Sequence, residues 1–170
     1  SDAAKAVVAE IEAAGGTAVA VGGSVTDDTA VASMVKAALD LGGRVDILVA
    51  NAGILRDKTF AKMEIADFEA VVNVHLMGTV KPCKAVWEIM REQNYGRIVV
   101  TTSSSGLYGN FGQSNYGAAK MAIIGFMQTL KLEGQKYNIH VNAISPAAAT
   151  RMTENLLPPD ILAKMAPEYV

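Results

Sequence analysis

The sequence predicts an α/β fold in which a parallel sheet is covered by helices. Amphipathic helical stripes alternate with short β-branched runs along the whole chain. The run from Val45 to Ala50 (VDILVA) is close to continuously apolar, as a strand buried on both faces must be. Glycine pairs and capping residues fall where one period gives way to the next.

Each element has its own warrant. Val7, Val8, Ile11 and Ala14 form one helical stripe that Gly15-Gly16 stops, and Thr17 to Val21 then reads as a strand. Thr26 is the expected cap of the next helix, with Asp27 and Asp28 in its first turn and Val31, Met34, Val35, Ala38 and Leu39 on one face. Gly42-Gly43 close that helix, and the Val45 strand follows. Asp67 to Gln93 predict a long helix with Gly78 and Pro82 inside it, bent where the proline removes a backbone donor. A strand from Ile98 to Thr102, a polar loop, and a helix from Asn115 come next. That helix is apolar nearly all round, more than one face against a sheet requires, so its second face is expected to meet another subunit. Ile139 to Ser145 is the last clear strand, ended by Pro146; beyond it lie Thr150 to Thr153 and a short helical stretch opening at Pro158-Pro159.

At 170 residues, 51% hydrophobic and 19% charged, the chain is read as one domain with a sizeable core. Its formal charge of −2 and the lack of a long basic cluster argue against nucleic acid as a partner. A single cysteine, Cys83, excludes an internal disulfide and a cysteine-rich metal site, and no metal centre is expected. No apolar run reaches the ~20 residues of a membrane span, and the N-terminus has no basic-then-apolar signal pattern, so the expected location is the cytoplasm.

In open α/β sheets, ligands sit beyond the carboxyl ends of the strands, and three such ends are chemically marked. The first carries Asn51-Ala52-Gly53. The second carries Ser103, thirteen residues before Tyr116, and the third carries Asn142 and Pro146. Tyr116 and Lys120 are four apart in a helix, so their side chains share one face. A cation beside a phenol favours the phenolate and lowers a pKa ordinarily near ~10, which makes tyrosine usable as a general acid/base. A Tyr-x-x-x-Lys pair alone arises easily by chance, and three residues after a strand are ordinary turn chemistry. Serine, tyrosine and lysine on one strand–loop–helix unit are far more specific.

On these residues the chain resembles the short-chain dehydrogenase/reductase family. The strings ANAGILRDKTFAKM, VHLMGTVKPCKAVWEIM, YGRIVVTTSSSGLYGNFGQSNYGAAK, KYNIHVNAISPAAATRMT and the closing APEYV narrow the resemblance to the (3R)-hydroxyacyl-CoA dehydrogenases of multifunctional β-oxidation enzymes and their stand-alone bacterial relatives. The resemblance implies a Rossmann-like, doubly wound parallel sheet and a single partial domain over residues 1–170. It makes Ser103, Tyr116 and Lys120 catalytic. It gives cofactor contacts to Ser24, Val25, Asn51, Ala52, Gly53, Tyr116, Lys120, Pro146, Ala147 and Ala149, and the cofactor it implies is NAD or NADP, with NAD favoured. The implied reaction passes hydride between the nicotinamide and a 3-hydroxyacyl or 3-oxoacyl thioester, or a similar secondary alcohol. Alternatives are an acyl-carrier-protein, steroid or sugar reductase of the same family, and a non-catalytic protein that keeps the fold. Partners would be the small-molecule substrate and further copies of the chain, as a homodimer or homotetramer, with no nucleic acid and no membrane.

Ser103, Tyr108, Phe111 and Gln113 stand where side chains could touch the acyl part of a substrate; the other reading is that Tyr108 and Phe111 pack the loop onto the helices. Four departures from the family pattern stand out. His75 occupies the place of a proton-relay asparagine, although the hydroxyacyl-CoA subset also reads Val-His-Leu there, and the other reading of a lone histidine is a helix-bend residue bonded to backbone; Ser24-Val25 stands where Asp-Val is common, and Ala147 replaces a glycine. The chain also opens on the helix that follows the family's first two strands and glycine-rich turn, and the family's last strand has no counterpart before Val170. The expectation is therefore an incomplete sheet, with these 170 residues alone neither stably folded nor able to bind a dinucleotide.

Overall fold

Three parallel strands form an open sheet in the computed structural model, which describes residues 2–149 and 158–169. They are β1 (Ile47–Ala50), β2 (Gly96–Thr101) and β3 (Ile139–Ile144), in the order β1-β2-β3, with Val99 of the middle strand paired to Val49 and Asn142. Helices α1 (Asp2–Ala13) and α2 (Asp28–Gly42) precede the sheet. Between β1 and β2 run α3 (Ile65–Val72) and α4 (Gly78–Gln93), between β2 and β3 run α5 (Ser104–Tyr108) and α6 (Ser114–Gly134), and α7 (Pro159–Leu162) is the last α-helix of the described residues. This is the α/β architecture that the alternation of periods predicts.

The core lies where β2 meets its covering helices. Ile98 and Val100 of β2 are fully buried and share a cluster with Cys83, Val86, Trp87 and Met90 of α4, Ile123 of α6, and Ile139 and Val141 of β3. Burial of side chains this size contributes about 1.5–3 kcal/mol each. On α6, Phe126, Met127 and Leu130 pack against this cluster as well, while Met121 and Leu132 face outward.

Five local expectations are corrected. Thr17 to Val21 is extended but is no strand: no strand of the described residues lies beside it, and a strand exists only by exchanging hydrogen bonds with a neighbour. Its Val19 and Val21 stay exposed, as do Ile47 and Val49 on the open edge of β1. The strand predicted from Val45 begins at Ile47, because the side-chain amide of Gln93 takes over the Val45 backbone, accepting from its N–H at 3.0 Å and donating to its C=O at 2.8 Å. The cap of α2 is Asp27, whose Oδ1 accepts from the N–H groups of Thr29 and Ala30 at 2.8 and 3.1 Å, while the Thr26 hydroxyl pairs with Ser24.

The fourth correction concerns the long helix. It starts at Ile65 and breaks its pattern upstream of Pro82, in one π turn at Asn73–Met77. There the N–H of Gly78 reaches back to the carbonyl of Asn73, and the Thr79 hydroxyl donates to the carbonyl of His75 at 2.7 Å. The segment expected as loop after Ser103 contains the short helix α5, with Ser103 as its cap. Thr150 to Thr153 lie outside the described residues.

Candidate active site

Because the strands are parallel, their carboxyl ends share one edge of the sheet, and the three marked ends are brought together there. Hydrogen bonds fasten the exit of β2 on both sides. Thr101 Oγ1 donates to Asn51 Oδ1 at 2.9 Å, tying β2 to the turn after β1, and the Thr102 N–H donates to Ile144 O at 2.8 Å, tying it to β3. Thr102 Oγ1 donates to the carbonyl of Lys120 at 2.8 Å, and Lys120 Nζ donates to the carbonyl of Thr101 at 2.6 Å. Strand exit and helix α6 are thus laced together around the lysine.

Ser103, Tyr116 and Lys120 converge as the spacing predicts. The Ser103 side chain accepts from the Ser105 N–H at 3.2 Å and lies near enough to the Tyr116 phenol to favour its ionised form. Lys120 Nζ stands 5.5 Å from the centre of the Tyr116 ring. The lysine is buried and the tyrosine half-buried.

The charge balance differs from the sequence expectation. The phenol is held above its ordinary value, first by burial and then by the Asp57 carboxylate, with Ser103 pulling the other way. Lys120 does not lower it here because the ammonium is turned toward the Thr101 carbonyl. Burial pushes that ammonium down to about 8. His75 is also held low, first by burial, with the Ile54 carbonyl opposing and Lys120 adding to the effect.

The depressed lysine carries a pH signature. An unfolded chain keeps this proton up to ~10.4, so from about 8 upward the unfolded state binds more protons and stability rises with pH. Below about 8 both states hold the proton and the cost of burial is present in full. Urea unfolding of wild type and Lys120→Met at pH ~7 and pH ~10 checks this: the gain in stability at high pH is expected to shrink in the variant. An equal gain in both proteins would assign it to other groups.

The remaining candidates divide by exposure. Asn51, Ala52 and Gly53 line the edge openly, as do Pro146 and Ala147, while Ala149 is half-buried with its N–H donating to Met165 O at 2.6 Å. Ser24 is exposed, and Val25 packs against Gly78, where a Cβ would collide with it. Tyr108 and Phe111 are 86% and 89% exposed, so they do not pack the loop onto the helices. Gln113 is buried, donating to Asp57 Oδ2 at 2.7 Å and accepting from Asn110 at 3.1 Å.

Two positioning side chains escape sequence reading. Asn115 is completely buried; its Nδ2 donates to Arg56 O at 3.0 Å and its Oδ1 accepts from the Tyr116 N–H at 2.8 Å. Thr101 looks like any β-branched strand residue, and its hydroxyl has no signature in the sequence. A buried asparagine next to the tyrosine, opening an otherwise apolar helix, is the one signal that was available. Among the described residues no helix is long and apolar enough to cross a membrane, and no group of three or more His, Cys, Asp or Glu could hold a metal.

A parallel sheet with serine, tyrosine and lysine meeting at its carboxyl edge defines a dehydrogenase-type nucleotide fold, and the chain belongs to the short chain dehydrogenase family, whose sequence profile matches residues 1–160. Among its relatives is the peroxisomal hydratase-dehydrogenase-epimerase of Saccharomyces cerevisiae, 52% identical over 170 residues, which are all of this chain and 19% of that protein. A 3-oxoacyl-[acyl-carrier-protein] reductase of Synechocystis is 46% identical over 157 residues, 92% of this chain and 64% of the relative. The crystal structure of an NAD+-bound xylitol dehydrogenase superposes with a TM-score of 0.82 at 35% identity, covering 85% of this chain and 56% of that one. The chain thus spans less than two thirds of the length of each of these proteins.

Proposed function

We propose that the protein is a nicotinamide-dependent oxidoreductase acting on 3-hydroxyacyl or 3-oxoacyl thioesters. The observation that carries this reading is the convergence of Ser103, the Tyr116 phenol and buried Lys120 at one strand exit. The Synechocystis relative, named for a 3-oxoacyl thioester, supports the substrate class.

The edge fits a dinucleotide in its donor chemistry. Gly53 has an ordinary backbone conformation and is glycine because the His75 imidazole lies where a Cβ would stand, while the exposed Asn51–Gly53 turn leaves its backbone open to a ligand. Asn51, Ala52 and Gly53 would lie along the cofactor, Lys120 would hold a ribose, Pro146, Ala147 and Ala149 would border the nicotinamide, and Ser24 and Val25 would meet the adenine end. NAD is the favoured form. The bound cofactor supplies the hydride acceptor for oxidation or the hydride donor for reduction.

In the oxidative direction Tyr116 Oη takes the hydroxyl proton of the substrate, and Ser103 hydrogen-bonds the same oxygen as its charge changes. Lys120 stabilises the phenolate once its ammonium turns from the Thr101 carbonyl toward the phenol. Tyr108 and Phe111, exposed beside the site, offer apolar surface to the acyl chain, and Gln113 serves that contact through the loop it fastens to Asp57. The outward face of α6, with Met121 and Leu132, supports assembly as a homodimer or homotetramer. The lone thiol, Cys83, is buried and pushed up to about 12, so it stays protonated and unreactive.

The reading is tested with the full-length protein and a panel of 3-hydroxyacyl-CoA, 3-hydroxyacyl-carrier-protein, sterol and sugar alcohol substrates, each with NAD and NADP. The expected result is fastest turnover on a thioester with NAD. Equal or faster turnover of sterols or sugars would overturn the substrate class, and no turnover on any would overturn the reaction.

A further inference from the structure

His75 sits on the π turn Asn73–Met77 and is only 2% exposed. Its Nε2 lies 2.7 Å from the carbonyl oxygen of Ile54 and 3.1 Å from the Ile54 N–H. One nitrogen serves one of these at a time, and the shorter contact is the one in which Nε2–H donates. On its other side the ring meets Tyr116 edge to face, with centres 5.0 Å apart and planes at 88°. A Cβ built on Gly53 would overlap His75 Cε1, so the imidazole fills the space that glycine leaves. Nδ1 is buried with no hydrogen-bond partner among the described residues. The charged groups acting around it are Lys120, which disfavours a second cation, and Asp57, which acts on Tyr116.

We propose that His75 is a positioning residue, an uncharged wedge that sets the Tyr116 ring against the Gly53–Ile54 turn and takes no proton in the reaction. The proposal rests on Tyr116 being the acid/base group of the proposed oxidoreductase. The wedge couples the turn assigned to the cofactor with the side chain assigned to the substrate oxygen, so its effect on rate is geometric.

Two measurements on the full-length protein test it. His75→Gln keeps a donor for the Ile54 carbonyl and removes the titrating ring. Turnover within about tenfold of wild type, with both limbs of the pH–rate profile in place, is expected of a wedge, whereas a proton carrier would lose ~10² or more together with a limb. The second measurement is a thermal-denaturation cycle of Gly53→Ala, His75→Ala and the double variant. Gly53→Ala should lower the Tm in wild type and by distinctly less when residue 75 is alanine, because the clash is with the ring. Equal losses in both backgrounds, or a His75→Gln enzyme that loses a pH limb, overturn the proposal. The cycle needs no activity, so a wild type without turnover that still shows the coupling overturns the reaction assigned above and not the packing of the ring.

Discussion

Replacing Tyr116 by phenylalanine is expected to lower turnover by ~10²–10⁴ at every pH, because it removes the one oxygen placed to exchange a proton with the substrate. The ring itself stays: its contacts with His75 and Lys120 are made by carbon and by the π face, which phenylalanine retains. Stability should change little, since the lost phenol gives up at most one hydrogen bond, to Ser103, worth about 1 kcal/mol. Cofactor affinity, followed by fluorescence titration, should hold as well. Steady-state rates on the best thioester decide the matter, and near-native turnover would remove the tyrosine from the chemistry.

The second large effect lies one residue earlier. Asn115→Leu keeps the branching and the number of side-chain heavy atoms but leaves the Arg56 carbonyl and the Tyr116 N–H without their buried partner, and it removes the contact of Nδ2 with Met63 sulfur at 3.4 Å. Each orphaned group costs about 1–3 kcal/mol, so a loss of about 2–6 kcal/mol is expected from the urea midpoint. Asn115→Asp keeps the acceptor for the Tyr116 N–H but buries a carboxyl against the Arg56 carbonyl, so it should lose at least as much. Turnover should fall in both, because the Nδ2 bond holds residues 56–63 against the start of α6. A leucine variant as stable as wild type would mean that Arg56 and Tyr116 find other partners.

The sequence made some of this visible and hid the rest for physical reasons. Helix α6 with Tyr116 and Lys120 on one face, and the buried strand before Ser103, follow from periods and from chain-local spacing, so they were readable. Thr17 to Val21 misled because its composition suits a strand while strand formation depends on a neighbour elsewhere in the chain. The π turn escaped because a proline draws the eye to Pro82, whereas the break is set by Thr79 and Gly78 bonding backward. The direction of the Tyr116 shift was missed for a similar reason. The i to i+4 spacing brings the lysine near, but which carbonyl its ammonium chooses is decided by β2. Gln113 and Asn115 read as loop and helix-start polarity, and only their long-range partners, Asp57 and Arg56, show that they rivet two loops together.

The π turn at Asn73–Met77 has a consequence in genetic terms. Such a turn holds one residue more than the α-helical turn it replaces, so α3 and α4 are two stretches of helix out of phase by one position. Loss of a single codon between Asn73 and Met77 would remove that surplus residue and leave an ordinary α-helical turn, with the stretches on either side facing as they do now. Val71 and Met90, both fully buried, would then lie about five whole turns apart and still face the core together. What such a deletion disturbs is the contact of His75 with the Gly53 turn, because the lost residue comes from the turn that carries it. A frame-preserving deletion in any other turn of α4 would rotate one part of the helix by about 100° against the other, so this short segment should tolerate the loss of a codon far better than the helix around it.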